Sequence, residues 1–238
     1  MSWIRSAAFN AWFYVVTTLF CLASPVPRRG SGPKKMARSL AYAGLWARAT
    51  LAGLRPLVGI EWRITGLEHL PDGPALLAAQ HQSAFETLLW VAVLPRVCFV
   101  VKHELMRIPL FGGMLKACGM IGVDRDAGAQ ALRGMLQAGM QASASGRHIL
   151  VFPEGTRVAP GVRVPLHVGV AALATRTGLP VIPVLTDSGR CWGRRSFRKA
   201  PGVIHLQILP PLPTGLPREA LLARLSDLFA AGPAHDDA

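Results

Sequence analysis

Acidic residues are scarce in this sequence. It carries 13 Asp and Glu against 26 Lys and Arg, which gives a formal net charge of +13. With 51% hydrophobic residues, such a basic chain is typical of a protein that works at an anionic membrane surface. Aromatic residues are also few. The two Tyr and nine Phe form no stacking motif, and no nucleic-acid-binding module is recognisable, so we expect no nucleic-acid partner.

Metal-ligand spacing and a common hydrolase motif are missing as well. The four cysteines are scattered, which suggests buried thiols in a reducing compartment: Cys21, Cys98, Cys118 and Cys191. No His-Glu-x-x-His sequence occurs, so we expect no metal. The absence of a Gly-x-Ser-x-Gly elbow disfavours a serine hydrolase. Composition alone does not exclude a non-catalytic membrane-binding protein.

Charge is absent from residues 6–27. These 22 positions are enough to cross a bilayer core, which takes about 20 helical residues. Three interpretations are open: a signal peptide cleaved near Ala23, a transmembrane span, or a helix in one leaflet, because Asn10 and two threonines dilute the apolar character. Arg5 alone precedes the segment. The larger basic group that follows it places the remainder of the chain on the cytoplasmic face of the inner membrane: Arg28, Arg29, Lys34, Lys35 and Arg38.

A second apolar stretch spans residues 36–58, after a turn-forming linker at residues 24–35. Arg38, Arg48 and Arg55 interrupt it, as in a helix lying at the membrane surface with its guanidinium groups reaching lipid phosphates. An ordinary surface helix packed on the domain is the alternative. The chain is thus divided into three predicted parts: membrane-anchoring helices at 1–58, an α/β domain at 59–215, and a C-terminal helix with a frayed tail at 216–238.

Strand-like and helical segments alternate along the remainder of the chain. This alternation predicts an α/β fold with a mixed, largely parallel sheet flanked by helices. The predicted strands occupy residues 61–65, 75–79, 97–101, 120–123, 148–151, 181–185 and 203–209. The predicted helices occupy residues 85–94, 109–118, 128–145, 168–177 and 217–230.

An imidazole and a carboxylate follow the predicted strand at residues 75–79. His81 can take a proton from a hydroxyl near neutral pH, and a carboxylate on its other ring nitrogen would stabilise the imidazolium. An ideal helix leaves residues at this spacing about 140° apart, so His81 and Glu86 meet only if His81 precedes the helix and Glu86 lies in its first turn. A structural alternative exists, because Ser83 and Glu86 fit a capping box with Ser83 at the N-cap.

A second polar cluster, Phe-Pro-Glu-Gly-Thr-Arg, occupies residues 152–157 after another predicted strand. Gly155 allows a sharp turn beside a ligand, and Thr156 offers a hydroxyl. Arg157 presents a planar fork that matches a phosphate group. The alternative is a turn held by a structural pair between Glu154 and Arg157.

Four sequence blocks, in this order, resemble the glycerolipid acyltransferase family, whose bacterial members include 1-acyl-glycerol-3-phosphate acyltransferases. The blocks are His81-x4-Glu86, residues 102–112 with 121–125, residues 152–157, and residues 181–184 with 188–192. The resemblance extends over roughly residues 60–212. Glu86 stands where the family has Asp, which changes the reach to His81. His167 stands where members often have Lys, which removes a positive charge near the expected acceptor pocket.

The resemblance implies an acyltransferase of phospholipid biosynthesis that converts lysophosphatidic acid to phosphatidic acid. His81, oriented by Glu86, would act as the base. Arg157 would bind the acceptor phosphate, and Glu154 would contact the glycerol or organise Arg157. Two further cations would lie near the acyl or phosphate end of the substrates: Lys102 and Arg125.

The implied partners are a membrane lipid and an acyl donor. No bound cofactor is expected, since acyl-CoA or acyl carrier protein would serve as co-substrate. The acceptor could instead be glycerol 3-phosphate or a lyso-aminolipid, and the sequence leaves this choice open.

Overall fold

Seven strands form one sheet in the computed structural model, which describes residues 2–124 and 127–234. Their order across the sheet is β1-β7-β6-β2-β5-β3-β4. Within the described chain, β6 and β7 pair antiparallel and the other neighbours pair parallel. The predicted mixed, largely parallel sheet is therefore confirmed. The strands are β1 (Ile60–Thr65), β2 (Leu76–Ala79), β3 (Cys98–Lys102), β4 (Ile121–Val123), β5 (Ile149–Val151), β6 (Val181–Thr186) and β7 (Gly202–Ile208).

Helices flank this sheet and follow the predicted pattern closely. Each helix predicted after residue 58 has an observed counterpart whose ends differ by only one or two residues, and α6 stops where Gly178 takes a left-handed conformation, φ 66°. The linker predicted at residues 24–35 is wrong in its last part, because a helix already begins at Gly32, with Pro33 in its first turn, and ends at Ala52. The helices are α1 (Ser2–Ala23), α2 (Gly32–Ala52), α3 (Phe85–Val93), α4 (Phe111–Ala117), α5 (Gly128–Ala144), α6 (Gly169–Thr177) and α7 (Arg218–Ala231). Residues 235–238 of the predicted frayed tail lie outside the described residues.

The sheet is buried on both faces, which explains why its central strands β2 and β5 are apolar at every position. In β2, Leu77 and Ala79 face a core shared with α1, α2 and α3. Leu76 and Ala78 face a second core shared with α5, α6 and α7. Parallel strands covered by helices on both sides are expected to show such continuous apolar runs.

The N-terminal helices belong to the first of these cores. Phe9 of α1 and Ala47 of α2 are completely buried, and Leu54, just after α2, is buried as well. Phe9 packs edge-on against the ring of Trp192, with centroids 5.2 Å apart. The boundary at residue 58 remains a sequence prediction, since the residues before it pack directly on the residues after it.

Candidate active site

Four strands bring their carboxyl ends to the same edge of the sheet, because β2, β3, β5 and β6 run parallel. Each end leads into polar or reactive residues. A cavity of about 580 Å³ opens at this edge. The residues predicted to form the site that line it are His81, Lys102, Gly155, Thr156 and Arg157.

His81 lies before α3 and Glu86 lies in its first turn, which is the arrangement that their spacing requires. His81 Nδ1 is 3.6 Å from Glu86 Oε2, a separation suited to charge stabilisation but too long for a hydrogen bond. Glu86 is only 1% exposed, whereas the His81 side chain is 15% exposed and lines the cavity. Because Nδ1 is buried and faces the carboxylate, Nε2 is the ring nitrogen available to a substrate.

Three donors converge on the Glu86 carboxylate and fix it. The backbone N–H groups of Gln82 and Ser83 donate to it at 3.2 and 3.1 Å, and the Ser188 hydroxyl donates to it as well. Ser83 Oγ in turn accepts the N–H of Phe85 at 3.0 Å. The helix begins at Phe85, and half of the predicted capping box forms: Glu86 accepts the Ser83 N–H, whereas Ser83 Oγ accepts the N–H of Phe85 instead of that of Glu86.

The second polar cluster holds the backbone of His81. Its N–H donates to Glu154 Oε2 at 2.6 Å, and its carbonyl accepts the N–H of Val158 at 2.8 Å. The imidazole stacks on Phe152, with ring centroids 4.0 Å apart and planes inclined by 16°. The residues following β5 thus fix both the main chain and the ring of His81.

Glu154 makes a different contact from those predicted. Among the described residues it forms no ion pair with Arg157, and it does not line the cavity. Burial raises its pKa to about 7, partly offset by the His81 N–H and reinforced by the nearby charge of Glu86. Its carboxyl group accepts the backbone N–H of His81 and so helps to position this residue at the cavity.

The stability of the protein should report the titration of Glu154. Its pKa rises from 4.5 to about 7 on folding, so the folded state keeps a proton that the unfolded state releases. Stability is therefore lost progressively as pH rises between these values. Glu154→Gln retains an acceptor for the His81 N–H but has no such titration. Relative to wild type, its free energy of unfolding should rise across this pH window and level off above about pH 7.

Denaturant unfolding at several pH values measures this difference. Glu68→Gln is the matched control, because Glu68 is exposed. A pH-independent difference between wild type and Glu154→Gln would contradict the raised pKa.

Arg157 is half-buried at the cavity wall. Burial lowers its pKa, the Glu86 charge raises it, and the neighbouring Arg194 and Arg195 lower it further. Lys102 lines the same cavity from the end of β3. Arg125, the remaining predicted site cation, lies outside the described residues.

Several residues that position or line the site were missed in the sequence. Gln82 Nε2 donates to the carbonyl of Thr186, and its Oε1 accepts the N–H of Gly189, which ties His81's neighbour to the loop after β6. The glutamines on both sides of His81 in the sequence could have indicated this contact. Arg194 and Arg195 also line the cavity. In the sequence, the pair of adjacent arginines shortly after the fourth block could have indicated them.

A smaller apolar cavity of about 120 Å³ adjoins the first, since the two share Trp46, Phe99 and Phe111. It continues between α2 and α4 to Tyr42 and Met114. In the part of the chain that the structure describes, no group of three or more His, Cys, Asp or Glu could hold a metal ion. The site therefore combines a histidine backed by a carboxylate, several cations, and an apolar extension.

Comparisons with known proteins agree with this combination. A family model described as "Acyltransferase" matches residues 61–187. The chain is similar to a 1-acyl-sn-glycerol-3-phosphate acyltransferase of Pseudomonas aeruginosa, 33% identical over 70% of this chain and 65% of the relative. It thus spans less than two thirds of that relative's length. It is also similar to human 1-acyl-sn-glycerol-3-phosphate acyltransferase alpha, 27% identical over 88% of this chain and 72% of the relative.

The fold has a counterpart among solved structures. The crystal structure of a 1-acyl-sn-glycerophosphate (LPA) acyltransferase from Thermotoga maritima superposes with a TM-score of 0.76. The match covers 97% of this chain and 95% of that one, at 22% sequence identity. This likeness concerns the fold, including the N-terminal helices.

Proposed function

Because this chain belongs to the acyltransferase family, we propose that it transfers an acyl chain from an acyl thioester to the free hydroxyl of 1-acyl-glycerol 3-phosphate, which forms phosphatidic acid. One observation carries the proposal. A histidine backed by a buried glutamate shares a cavity with Arg157, a cation suited to a phosphate.

The proposed chemistry begins with proton transfer to His81. Its Nε2 removes the proton from the acceptor hydroxyl as the oxygen attacks the thioester carbonyl. Glu86 stabilises the resulting imidazolium from the Nδ1 side, 3.6 Å away. Lys102 or backbone N–H groups stabilise the oxyanion of the tetrahedral intermediate. The intermediate then expels the thiolate, which takes the proton from His81, so no covalent acyl-enzyme forms.

The two cavities suit the two ends of such substrates. The acceptor phosphate binds Arg157, and Gly155 and Thr156 form the adjoining wall. The adjoining apolar cavity takes acyl-chain carbons. The acyl donor is acyl-CoA or acyl carrier protein, which acts as a co-substrate, and no bound cofactor takes part.

Product identification tests the acceptor. The purified protein would be incubated with an acyl thioester and a panel of 1-acyl-glycerol 3-phosphate, glycerol 3-phosphate and lyso-aminolipid. Mass spectrometry should detect phosphatidic acid as the main product. Acylation of the lyso-aminolipid alone would overturn the proposed acceptor while retaining the acyltransferase chemistry.

We also propose that α1 lies in one membrane leaflet at the cytoplasmic face. It is long and apolar enough to cross a membrane by length and composition. However, Phe9 and Val16 pack one side of it on the domain. The opposite side exposes large apolar residues at helical spacing, namely Ile4, Val15, Leu19 and Leu22. A helix buried along one side fits an in-plane position better than an isolated span or a cleaved segment.

Charge on the exposed side of α1 should weaken membrane binding. The double variant Val15→Glu/Leu19→Glu places two carboxylates where the helix would enter lipid, so binding to anionic vesicles should fall at least tenfold. Met140→Glu is a matched control, because this exposed side chain lies on α5, across the sheet. Vesicle co-sedimentation measures the effect. Equal binding by wild type and the double variant would show that α1 is not the attachment site.

Arg157→Lys should lower kcat/KM for the acceptor by about 10- to 100-fold. Lysine keeps the charge but loses the two-pronged geometry that matches phosphate. Charged hydrogen bonds contribute roughly 1.5–3 kcal/mol, and 1.4 kcal/mol is a factor of ten. Steady-state kinetics with each substrate varied in turn measures this. The donor KM should stay near the wild-type value, and a rise in donor KM alone would move Arg157 to the donor side.

A further inference from the structure

The described residues that line the larger cavity include four cations and no carboxylate. The cations are Lys102, Arg157, Arg194 and Arg195. Arg194 Nη1 donates to the carbonyl of Arg157 at 3.3 Å, which brings the two arginines together at one wall. Like charges gathered beside a cavity repel one another, and a bound anion relieves that repulsion.

The loop that carries Arg194 and Arg195 is anchored on α1 by Lys199. Lys199 is buried, and its ammonium donates to Asn10 Oδ1 at 2.7 Å and to the carbonyls of Ser196 and Phe197 at 2.9 and 3.1 Å. Its backbone N–H donates to Ser6 Oγ at 3.0 Å. These contacts fix the loop on α1.

Arg195 itself has a left-handed backbone conformation, φ 53°, which residues other than glycine and asparagine rarely adopt. A strained residue persists only where its surroundings hold it, and Lys199 holds the two residues that directly follow Arg195, Ser196 and Phe197. The side chains of Arg194 and Arg195 are exposed at the cavity wall. The loop thus presents two guanidinium groups from a fixed base to a ligand in the cavity.

We propose that Arg194 and Arg195 join Arg157 in a site that binds a phosphate monoester as a dianion, and that this site selects against acceptors whose phosphate is a diester. The proposal rests on the function proposed above. A phosphate monoester carries a charge of about −1.5 to −2 at pH 7. A diester carries only one negative charge and lacks one terminal oxygen. Three guanidinium groups therefore favour the monoester, by charge and by the number of oxygens they can reach.

The position of these arginines bears on a departure noted in the sequence. His167, which replaces the family's common lysine, is exposed and is not among the residues that line the cavity. Arg194 and Arg195 supply positive charge at the cavity from a different loop. The acceptor site is therefore more basic than the second and third sequence blocks alone indicate.

Kinetics with two matched acceptors test the selection. The acceptors are 1-acyl-glycerol 3-phosphate and its phosphate methyl ester, each with the same acyl thioester. In the double variant Arg194→Gln/Arg195→Gln, kcat/KM for the monoester should fall by roughly 10- to 100-fold. The value for the methyl ester should fall much less, so the preference for the monoester collapses. Arg198→Gln is the control, since Arg198 is on the same loop but lies over the Trp3 ring.

Two kinetic outcomes would overturn the selection. One is an unchanged preference in the double variant. The other is a rise in the donor KM alone, which would assign these arginines to the phosphates of the acyl donor. A loss of folding is excluded by comparing the thermal unfolding of the double variant with that of Arg198→Gln.

A binding measurement separates this proposal from the proposed function. Soluble 1-hexanoyl-glycerol 3-phosphate should raise the Tm of wild type and of Arg198→Gln, and it should raise that of the double variant much less, because Arg157 alone remains of the three arginines. If wild type stabilised by the lysolipid transfers no acyl chain, the function fails and the binding site stands. If the lysolipid stabilises wild type and the double variant equally, the binding site fails.

Discussion

His81→Ala is expected to fold and to lose transfer activity by about 10²–10⁴-fold, the contribution of general base catalysis. The side chain supplies Nε2 to the cavity, and no other histidine is among the described residues that line it. The contacts that hold this position, to Glu154 and Val158, are made by the main chain of residue 81 and survive the substitution. The stack on Phe152 is lost, which costs stability but leaves the sheet edge intact.

Single-turnover kinetics and circular dichroism measure activity and folding together. His103→Ala is the matched control, because His103 directly follows Lys102 but does not line the cavity. Added imidazole should restore part of the activity of His81→Ala, since it can occupy the vacated space and accept the proton. Near-wild-type turnover by a folded His81→Ala protein would remove His81 from the role of base.

Glu86→Gln should lower kcat by about 10²- to 10⁴-fold. In serine hydrolase triads, an amide in place of the orienting carboxylate costs about 10⁴-fold because the histidine is held in the wrong tautomer. Here an amide N–H at the Oε2 position would face His81 Nδ1 and favour the proton on Nε2, where the base must be free. The charge that stabilises the imidazolium is lost at the same time.

The sequence alone suggests that this variant would keep its melting temperature, because glutamine can complete a capping box. The contacts of Glu86 change that expectation. Gln82, Ser83 and Ser188 all donate to its carboxylate, so an amide N–H must meet at least one donor. One unsatisfied buried group costs about 1–3 kcal/mol, and thermal unfolding should show this loss.

Ser188→Ala separates the two roles of Glu86. It removes one donor to the carboxylate but keeps the charge and the acceptor facing His81. We expect a comparable loss of stability with a rate within about tenfold of wild type. If Glu86→Gln and Ser188→Ala lowered the rate equally, Glu86 would be a structural cap and not a catalytic partner.

Local features of the site could be predicted because each depends on only a few neighbouring residues. The apolar run of β2, the position of His81 after it and Glu86 in the following turn are fixed by strand burial and helix geometry. The same holds for Gly155, whose left-handed conformation, φ 69°, serves a tight turn. Each of these positions follows from a pattern shorter than a dozen residues.

Long-range contacts account for what could not be predicted. Nothing near Glu154 in the sequence indicates that its carboxyl group meets the N–H of His81, since two different strands must first pair. Arg194 reaches the cavity because Lys199 anchors its loop on α1, far away in the chain. The hydrophobic periodicity of a sequence predicts one helix or strand at a time. It therefore does not predict contacts between residues that are far apart in the chain.

The late position of β7 in the sequence has a consequence for how the protein is made. β7 lies between β1 and β6, so Ile60 has no strand partner until the ribosome has added Gly202 and the residues after it. Two of the partners of α1, Trp192 and Lys199, are also translated late. During synthesis α1 can therefore pack on α2 long before the part of its docking surface near Trp192 exists. The sheet is therefore completed only after most of the chain has been made, whereas the contacts of α1 with Trp46 and Ala49 of α2 can form early.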